Sequence, residues 1–347
     1  MITPRTRAFR TRSTTVALAA GALLALGACG TPGSSSGASG GSTSSGSAGS
    51  TAASCPAVPG NALVVLQDDK KLQTVDNVIP AVNAQTAAAD PGLIPLLDTV
   101  SKALDTNTLI SLNKSVDVER KSSVDVATQF VQSKNLAPTD STAGKGKKVA
   151  IGAADFSESA TLGNIYAQVL KAAGYDATVT TIGNREAYLP ALEKGQQIQV
   201  VPEYAGTLTE FINKAVNGAN APAKASGDLA ATVQALTTLG KQVGLTFGTA
   251  SDAADQNAFA VTKGFADAHH LKTLSDLAKA CSGLILGAGP ECTERPFCQP
   301  GLEKTYGLTF SQFKSLDAGG PLTKAALQKG DITLGLVFSS DGSLVTS

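Results

Sequence analysis

The chain has 347 residues, 42% hydrophobic, 16% charged and only 5% aromatic, and its 28 Lys and Arg balance 28 Asp and Glu. Four arginines (Arg5, Arg7, Arg10, Arg12) fall in the first 54 residues, where there is no acid, which leaves 24 positive against 28 negative charges beyond them. A weakly acidic body without a basic stripe excludes a nucleic-acid partner, because phosphate binding needs clustered Lys and Arg; its Val, Leu and Ile content excludes a wholly disordered chain.

Residues 1–28 read as an export signal: the four arginines, the apolar run from Val16 to Leu26, then Gly27-Ala28-Cys29. The run is too short to span a bilayer, which takes about 20 apolar residues. Leu26-Gly27-Ala28-Cys29 looks like a lipobox, so Cys29 is expected to carry a lipid that anchors the chain to the outer face of the cell membrane. Residues 29–60 then form a tether, almost entirely Gly, Ser, Thr and Ala from Gly30 to Ser54, with a reach of roughly 25–30 Å. With Cys29 lipidated, Cys55, Cys281, Cys292 and Cys298 remain, an even number that allows three pairings in an exported protein. Cys292 and Cys298 close a small loop and make the first expected disulfide, leaving Cys55 for Cys281. There is no C-x-x-C, and the adjacent His269 and His270 read as solvated loop, so neither metal nor cofactor is expected.

In the body, Leu63-Val-Val-Leu66 precedes three helical stretches, 92–104, 107–115 and 123–134, with Asp105-Thr106 and Ser122-Ser123 as N-caps. A polar linker, 138–147, leads to a buried strand at 147–152. Ser157 or Asp155 would cap the helix that follows. A strand at 177–182, a helix at 185–194 and a strand at 198–201 running into Pro202-Glu203-Tyr204 complete a parallel β-α-β-α-β unit. Ligands of such sheets sit at the carboxyl ends of strands, where Asp155-Phe156, Gly183-Asn184 and Glu203-Tyr204 fall. A helix at 228–244 and a crossing strand at 259–261 lead to a second α/β unit, 264–331, with a helix at 274–280, a strand at 284–286 and a helix at 323–329. The apolar strand 332–338 returns toward the first unit.

Three ordered stretches resemble the glycine betaine/choline (osmoprotectant) substrate-binding proteins of ABC importers. They are Val149-Ala-Ile-Gly-Ala-Ala-Asp-Phe-Ser-Glu158, Ile182-Gly-Asn-Arg-Glu-Ala-Tyr-Leu-Pro-Ala-Leu-Glu193 and Val201-Pro-Glu-Tyr-Ala-Gly-Thr207. Glu294-Arg-Pro-Phe-Cys-Gln-Pro-Gly-Leu302 and Val337-Phe-Ser-Ser-Asp-Gly342 extend the likeness toward the C-terminus. The family's last part, a strand like L-V-V-L-E-D-D and a helical tail, is matched instead at the front, by Ala62-Leu-Val-Val-Leu-Gln-Asp-Asp69, Asn77-Val-Ile-Pro80 and the helices to Leu136. The chain thus resembles a circularly permuted member, joined through 138–147, with Ser347 expected close to Asn61. The resemblance implies an α/β, two-lobed, type II periplasmic-binding-protein-like fold with a hinge of crossing strands. Its first lobe would hold 61–250 and 339–347 and its second 251–338. It further implies a monomeric, non-enzymatic lipoprotein that hands a small solute to an ABC permease.

The family encloses a methylated cation in tyrosines, whose ring faces attract it by about 0.5–2 kcal/mol each. Tyr204 matches a cage tyrosine and Thr207 the hydroxyl three residues later. Arg295 matches the family's E-R arginine, with a second reading as the ion-pair partner of Glu294 or Glu291. Phe338 stands where a cage tyrosine precedes T-D-G, with a core role equally open. Asn257 and Lys324 replace two further tyrosines, which suggests a more polar ligand, and Phe156 or Tyr188 could complete the cage. Asp155 and Glu203 face the cleft and read as a helix cap and a partner of Arg185 rather than an acid–base pair. An envelope hydrolase is the competing class, but Ser111-Leu-Asn-Lys114 has the S-x-x-K spacing without K-T-G or S-D-N companions.

Overall fold

The computed structural model describes residues 53–344. The export signal, Cys29 and most of the tether expected from the sequence lie outside the described residues, as does Ser347 and with it the expected closeness to Asn61. The strands are β1 (Ala53–Ser54), β2 (Leu63–Leu66), β3 (Val78–Asn83), β4 (Lys148–Ala153), β5 (Asp176–Thr181), β6 (Val200–Tyr204), β7 (Leu245–Phe247), β8 (Asn257–Thr262), β9 (Cys281–Ser282), β10 (Leu284–Ala288), β11 (Phe310–Ser315) and β12 (Leu334–Phe338).

Two five-stranded sheets carry the fold, ordered β5-β4-β6-β3-β7 and β11-β10-β12-β8-β2. They are built to one plan. In each, three parallel strands are continued by a strand antiparallel to the third: β3 against β6 in one sheet, β8 against β12 in the other. The parallel strands β4, β5 and β6 are each followed by a helix, Ser157–Ala172, Arg185–Lys194 and Ala205–Asn217, the crossover arrangement a parallel sheet requires. Helices cover both faces, so β6 is buried along its whole length and reads as a continuous apolar run rather than an alternating one.

The helices Leu93–Ala103, Thr106–Asp117 and Ser123–Ser133 pack with Ser157–Ala172 on one face of the first sheet, around Leu97, Leu109, Phe130, Leu162 and Tyr166. The caps expected for them are present: Asp105 accepts from the Thr108 N–H at 2.7 Å and Ser122 from that of Asp125 at 3.1 Å. The opposite face packs Tyr188, Leu192, Leu208 and Leu236 against Ile79 and Val201.

Four expectations are corrected. Leu63–Leu66, expected in the first lobe, pairs antiparallel with β8 in the second sheet, because its apolar face belongs with Phe259 and Leu336. The expected crossing strand at 259–261 is a full sheet member, β8. Phe156, not Ser157 or Asp155, occupies the N-cap of helix Ser157–Ala172 and makes no side-chain bond there; Ser159 turns back to accept the Ala154 N–H instead. His269 is half-buried against Phe265, ring centroids 4.7 Å apart, rather than solvated.

Three segments cross between the lobes: 67–77, 248–256 and 339–344. They bond to one another, Asp255 N–H to the Asp76 carbonyl at 3.0 Å and Ser339 N–H to the Gln256 carbonyl at 2.9 Å. Cys55 is joined to Cys281 and Cys292 to Cys298. The first of these, with the β1–β9 pairing, fastens the start of the described chain to the second lobe. Among the described residues no helix is long and apolar enough to cross a membrane.

Candidate functional site

A 420 Å³ cavity opens where the carboxyl ends of the two parallel arrays face each other. The first lobe contributes Ala154–Phe156 after β4, Gly183–Arg185 after β5, Tyr204 at the end of β6 and Thr207 in the first turn of the helix that follows; the second contributes Gly289–Glu291 after β10, Leu316–Ala318 after β11 and Phe338 at the end of β12. Asp76 and Asp255 enter from the crossing segments. This is the geometry expected of a ligand site in α/β sheets, doubled, since strands end there and loops can diverge without disturbing the core.

Aromatic rings form part of its wall. The Phe156 ring lies 5.5 Å from that of Phe338 across the cleft and 6.2 Å from that of Tyr204. Tyr204 is held by its hydroxyl, which donates to Glu158, so its ring cannot rotate away from the cavity without breaking a buried bond. Glu158 in turn accepts from the Ser340 hydroxyl at 2.6 Å and from the Asn113 amide.

Carboxylates line the inner end. Asp76 accepts from the Thr207 N–H at 2.9 Å and also from its hydroxyl, and burial pushes its pKa up to about 6. Asp255 accepts from the Ser340 N–H at 3.1 Å; burial first, then the nearby charge of Glu158, drives it well above the usual carboxylate range. Burial raises Glu158 as well. Desolvation disfavours the charged form of each, and a cation in the cavity would reverse that balance.

Both guanidinium groups in the wall are already matched. Arg185 is gripped by the fully buried Glu203 through bonds of 3.0 and 2.8 Å; burial opposes its charge, but the carboxylate outweighs this and raises its pKa. Tyr188 donates to the same carboxylate at 2.7 Å. Arg295 reaches across the cleft to Glu186 on the first lobe at 2.9 Å and lies 3.8 Å from Glu291.

Of the sequence-predicted residues, the structure brings Asp155, Phe156, Tyr204, Thr207, Asn257, Arg295 and Phe338 together around this cavity. Lys324 is a correction. It lies in an adjoining 210 Å³ cavity, its ammonium bound by Asp341 at 2.6 Å. The proposed cap Asp155 is exposed, and its carboxylate has no hydrogen-bond or ion-pair partner among the described residues. Asp76 and Asp255 were not among the expected site residues: each lies just before a family-like stretch, Asn77–Pro80 and the one that contains Asn257, and only the crossing segments turn them into the cavity. Glu158 stood inside a quoted motif, yet nothing in its spacing placed it beneath Tyr204. The nearest approach to a metal-ligand set among the described residues is Cys55, His269 and Cys281, and both its sulfurs are in a disulfide.

The family model for the substrate-binding domain of ABC-type glycine betaine transport systems matches residues 50–133 and 147–346. The chain belongs to that family. As a glycine betaine transport-type binding domain it has the family's two-lobed type II fold and binds a small solute for an ABC importer, outside the cytoplasm. Among solved structures, one titled as the crystal structure of a glycine betaine/carnitine/choline ABC transporter is 24% identical over 56% of this chain and 68% of that one. Its TM-score is 0.35, a likeness too loose to transfer any residue.

Proposed function

We propose that the chain is a lipid-anchored, monomeric binding protein that captures a quaternary ammonium solute of the osmoprotectant class, choline-type ahead of glycine betaine, and hands it to its permease. The observation that carries the preference is charge. Asp76 and Asp255 offer carboxylates to a cation, while Arg185 and Arg295 are both taken by acids and leave no base free for a ligand carboxylate. Phe156, Tyr204 and Phe338 supply ring faces, each contributing about 0.5–2 kcal/mol toward a methylated ammonium. The Arg295–Glu186 pair and the Phe156–Phe338 contact span the lobes and hold them shut over the solute. Calorimetric titration of the purified chain at neutral pH tests this. Choline should bind at least about tenfold more tightly than glycine betaine, since a carboxylate left unpaired in the cleft costs about 1–3 kcal/mol. Tighter binding of glycine betaine would refute the reading.

Circular permutation belongs to the same proposal. The family match breaks between 133 and 147, around the linker expected to be the joint. That joint is packed: Gly144 N–H reaches the Ala173 carbonyl at 2.8 Å and Lys147 pairs with Asp90 at 2.8 Å. At the other end Leu344 packs in the cluster containing Leu63 and Val65. A chain restored to the family's order, beginning at Lys147 and closing with Leu136, should fold and bind choline; a chain that fails to fold would count against permutation.

A further inference from the structure

Behind the main cavity lies the 210 Å³ chamber that holds Lys324. It shares Asp155, Phe156, Asp317, Ala318 and Phe338 with the main cavity, so the paired Phe156 and Phe338 rings form a partition between two compartments of one cleft. Its own lining includes Asn113, Asp117, Ser157, Glu158 and Asp341.

The hydrogen-bonding groups of this chamber are out of balance. Its one ammonium, Lys324, is used by Asp341 at 2.6 Å and by the Ser343 hydroxyl at 3.1 Å. Asp317 is satisfied by the N–H groups of Leu322 and Thr323 at 2.8 and 2.9 Å. Asp117 and Asp155 have no hydrogen-bond or ion-pair partner among the described residues. Asn113, 4% exposed, gives its amide N–H groups to Glu158 and Ser340, while its carbonyl oxygen is buried with no partner at all. A buried acceptor left unpaired costs about 1–3 kcal/mol, which a ligand's donor would recover once the Asn113 side chain turns that oxygen toward the chamber. Carboxylates without counter-charge favour the same kind of guest, one that brings protons and positive charge.

We propose that the cleft takes an elongated cation: a quaternary ammonium held in the main cavity, joined by a short chain passing the Phe156–Phe338 rings to a primary ammonium bound by Asn113, Asp117 and Asp155 in the second chamber. This rests on the cation reading of the main cavity and adds to it a second subsite with its own chemistry. The two rings would contact the connecting methylenes, so the partition becomes a waist rather than a wall.

The test is a calorimetric series on the full chain with choline and with (aminoalkyl)trimethylammonium ions whose spacer grows from ethylene to hexamethylene. One spacer length should bind at least about tenfold more tightly than choline, the gain expected of hydrogen bonds to charged groups. Ser157→Leu fills the second chamber and Asp117→Asn removes one of its charges; neither residue lines the main cavity. Both variants should lose the gain and keep the native affinity for choline, with an unchanged melting temperature excluding misfolding. No gain at any spacer length, or a gain that survives Ser157→Leu, overturns the proposal. Choline binding without a gain removes the second subsite alone, whereas absence of choline binding removes the cation reading beneath it as well.

Discussion

The carboxylate of Asp76 makes solute binding dependent on pH in a way that can be worked out. Burial lifts its pKa from 3.8 to about 6, against the opposing pull of the Thr207 N–H and hydroxyl and of the Arg185 charge, with Glu203 adding to the rise. In the empty protein the folded chain holds a proton that the unfolded chain has already released between these values. Stability therefore falls as pH rises across that window, by about 3 kcal/mol in total for a shift of this size. Binding runs in the opposite direction. A quaternary ammonium has no proton of its own and, of the two forms of Asp76, is attracted by the ionised one, so its affinity should drop about tenfold between pH 7 and pH 5 as that form is lost. Burial raises Asp255 and Glu158 in the same direction, so neither opposes the trend set by Asp76. Titration with choline at several pH values, repeated in Asp76→Asn, isolates the contribution of Asp76. The variant should bind more weakly than the native chain at pH 7 and show a shallower slope. It should also gain stability relative to the native chain above pH 6. Superimposable affinity–pH curves for the two proteins would refute the reasoning, because the carboxylate would then not sense the solute.

Two further substitutions probe the frame around the site. Arg185→Met leaves Glu203 buried without its counter-charge and should destabilise the fold by about 3–5 kcal/mol, read by urea denaturation; a loss below 1 kcal/mol would mean that the pair contributes little. Gly206→Ala drives a Cβ into the Val75 carbonyl and the Thr74 hydroxyl of a crossing segment. It should cost about 1–3 kcal/mol and weaken choline binding, since the same segment carries Asp76; a variant with native stability and native affinity would contradict the close approach.

Much of this architecture is written locally. The first sheet's β-α-β-α-β order, the caps Asp105 and Ser122, and the strands ending at Asp155-Phe156, Gly183-Asn184 and Tyr204 follow from hydrophobic runs and turn residues that act over a few positions. The strand Val78–Asn83 did not announce itself, because Pro80 in its middle argues against a central strand. It is tolerated where Pro80 faces Pro202 and its carbonyl accepts from Gly248. Leu63–Leu66 was legible as a strand but not as a member of the second sheet, since four apolar residues carry no information about which partner edge is free.

The sequence by itself determined the parallel strands and helices of the first sheet, the aromatic residues at the strand ends and the family to which they point, because each depends on neighbours within one motif. The tertiary structure alone decided that Arg295 spends its charge on Glu186, that Lys324 stands in a second chamber, and that Asp76 and Asp255 close the inner end of the first. Those are contacts between residues 17 to 179 positions apart, and the energy of a charge depends on what folding brings beside it and on how much water folding removes.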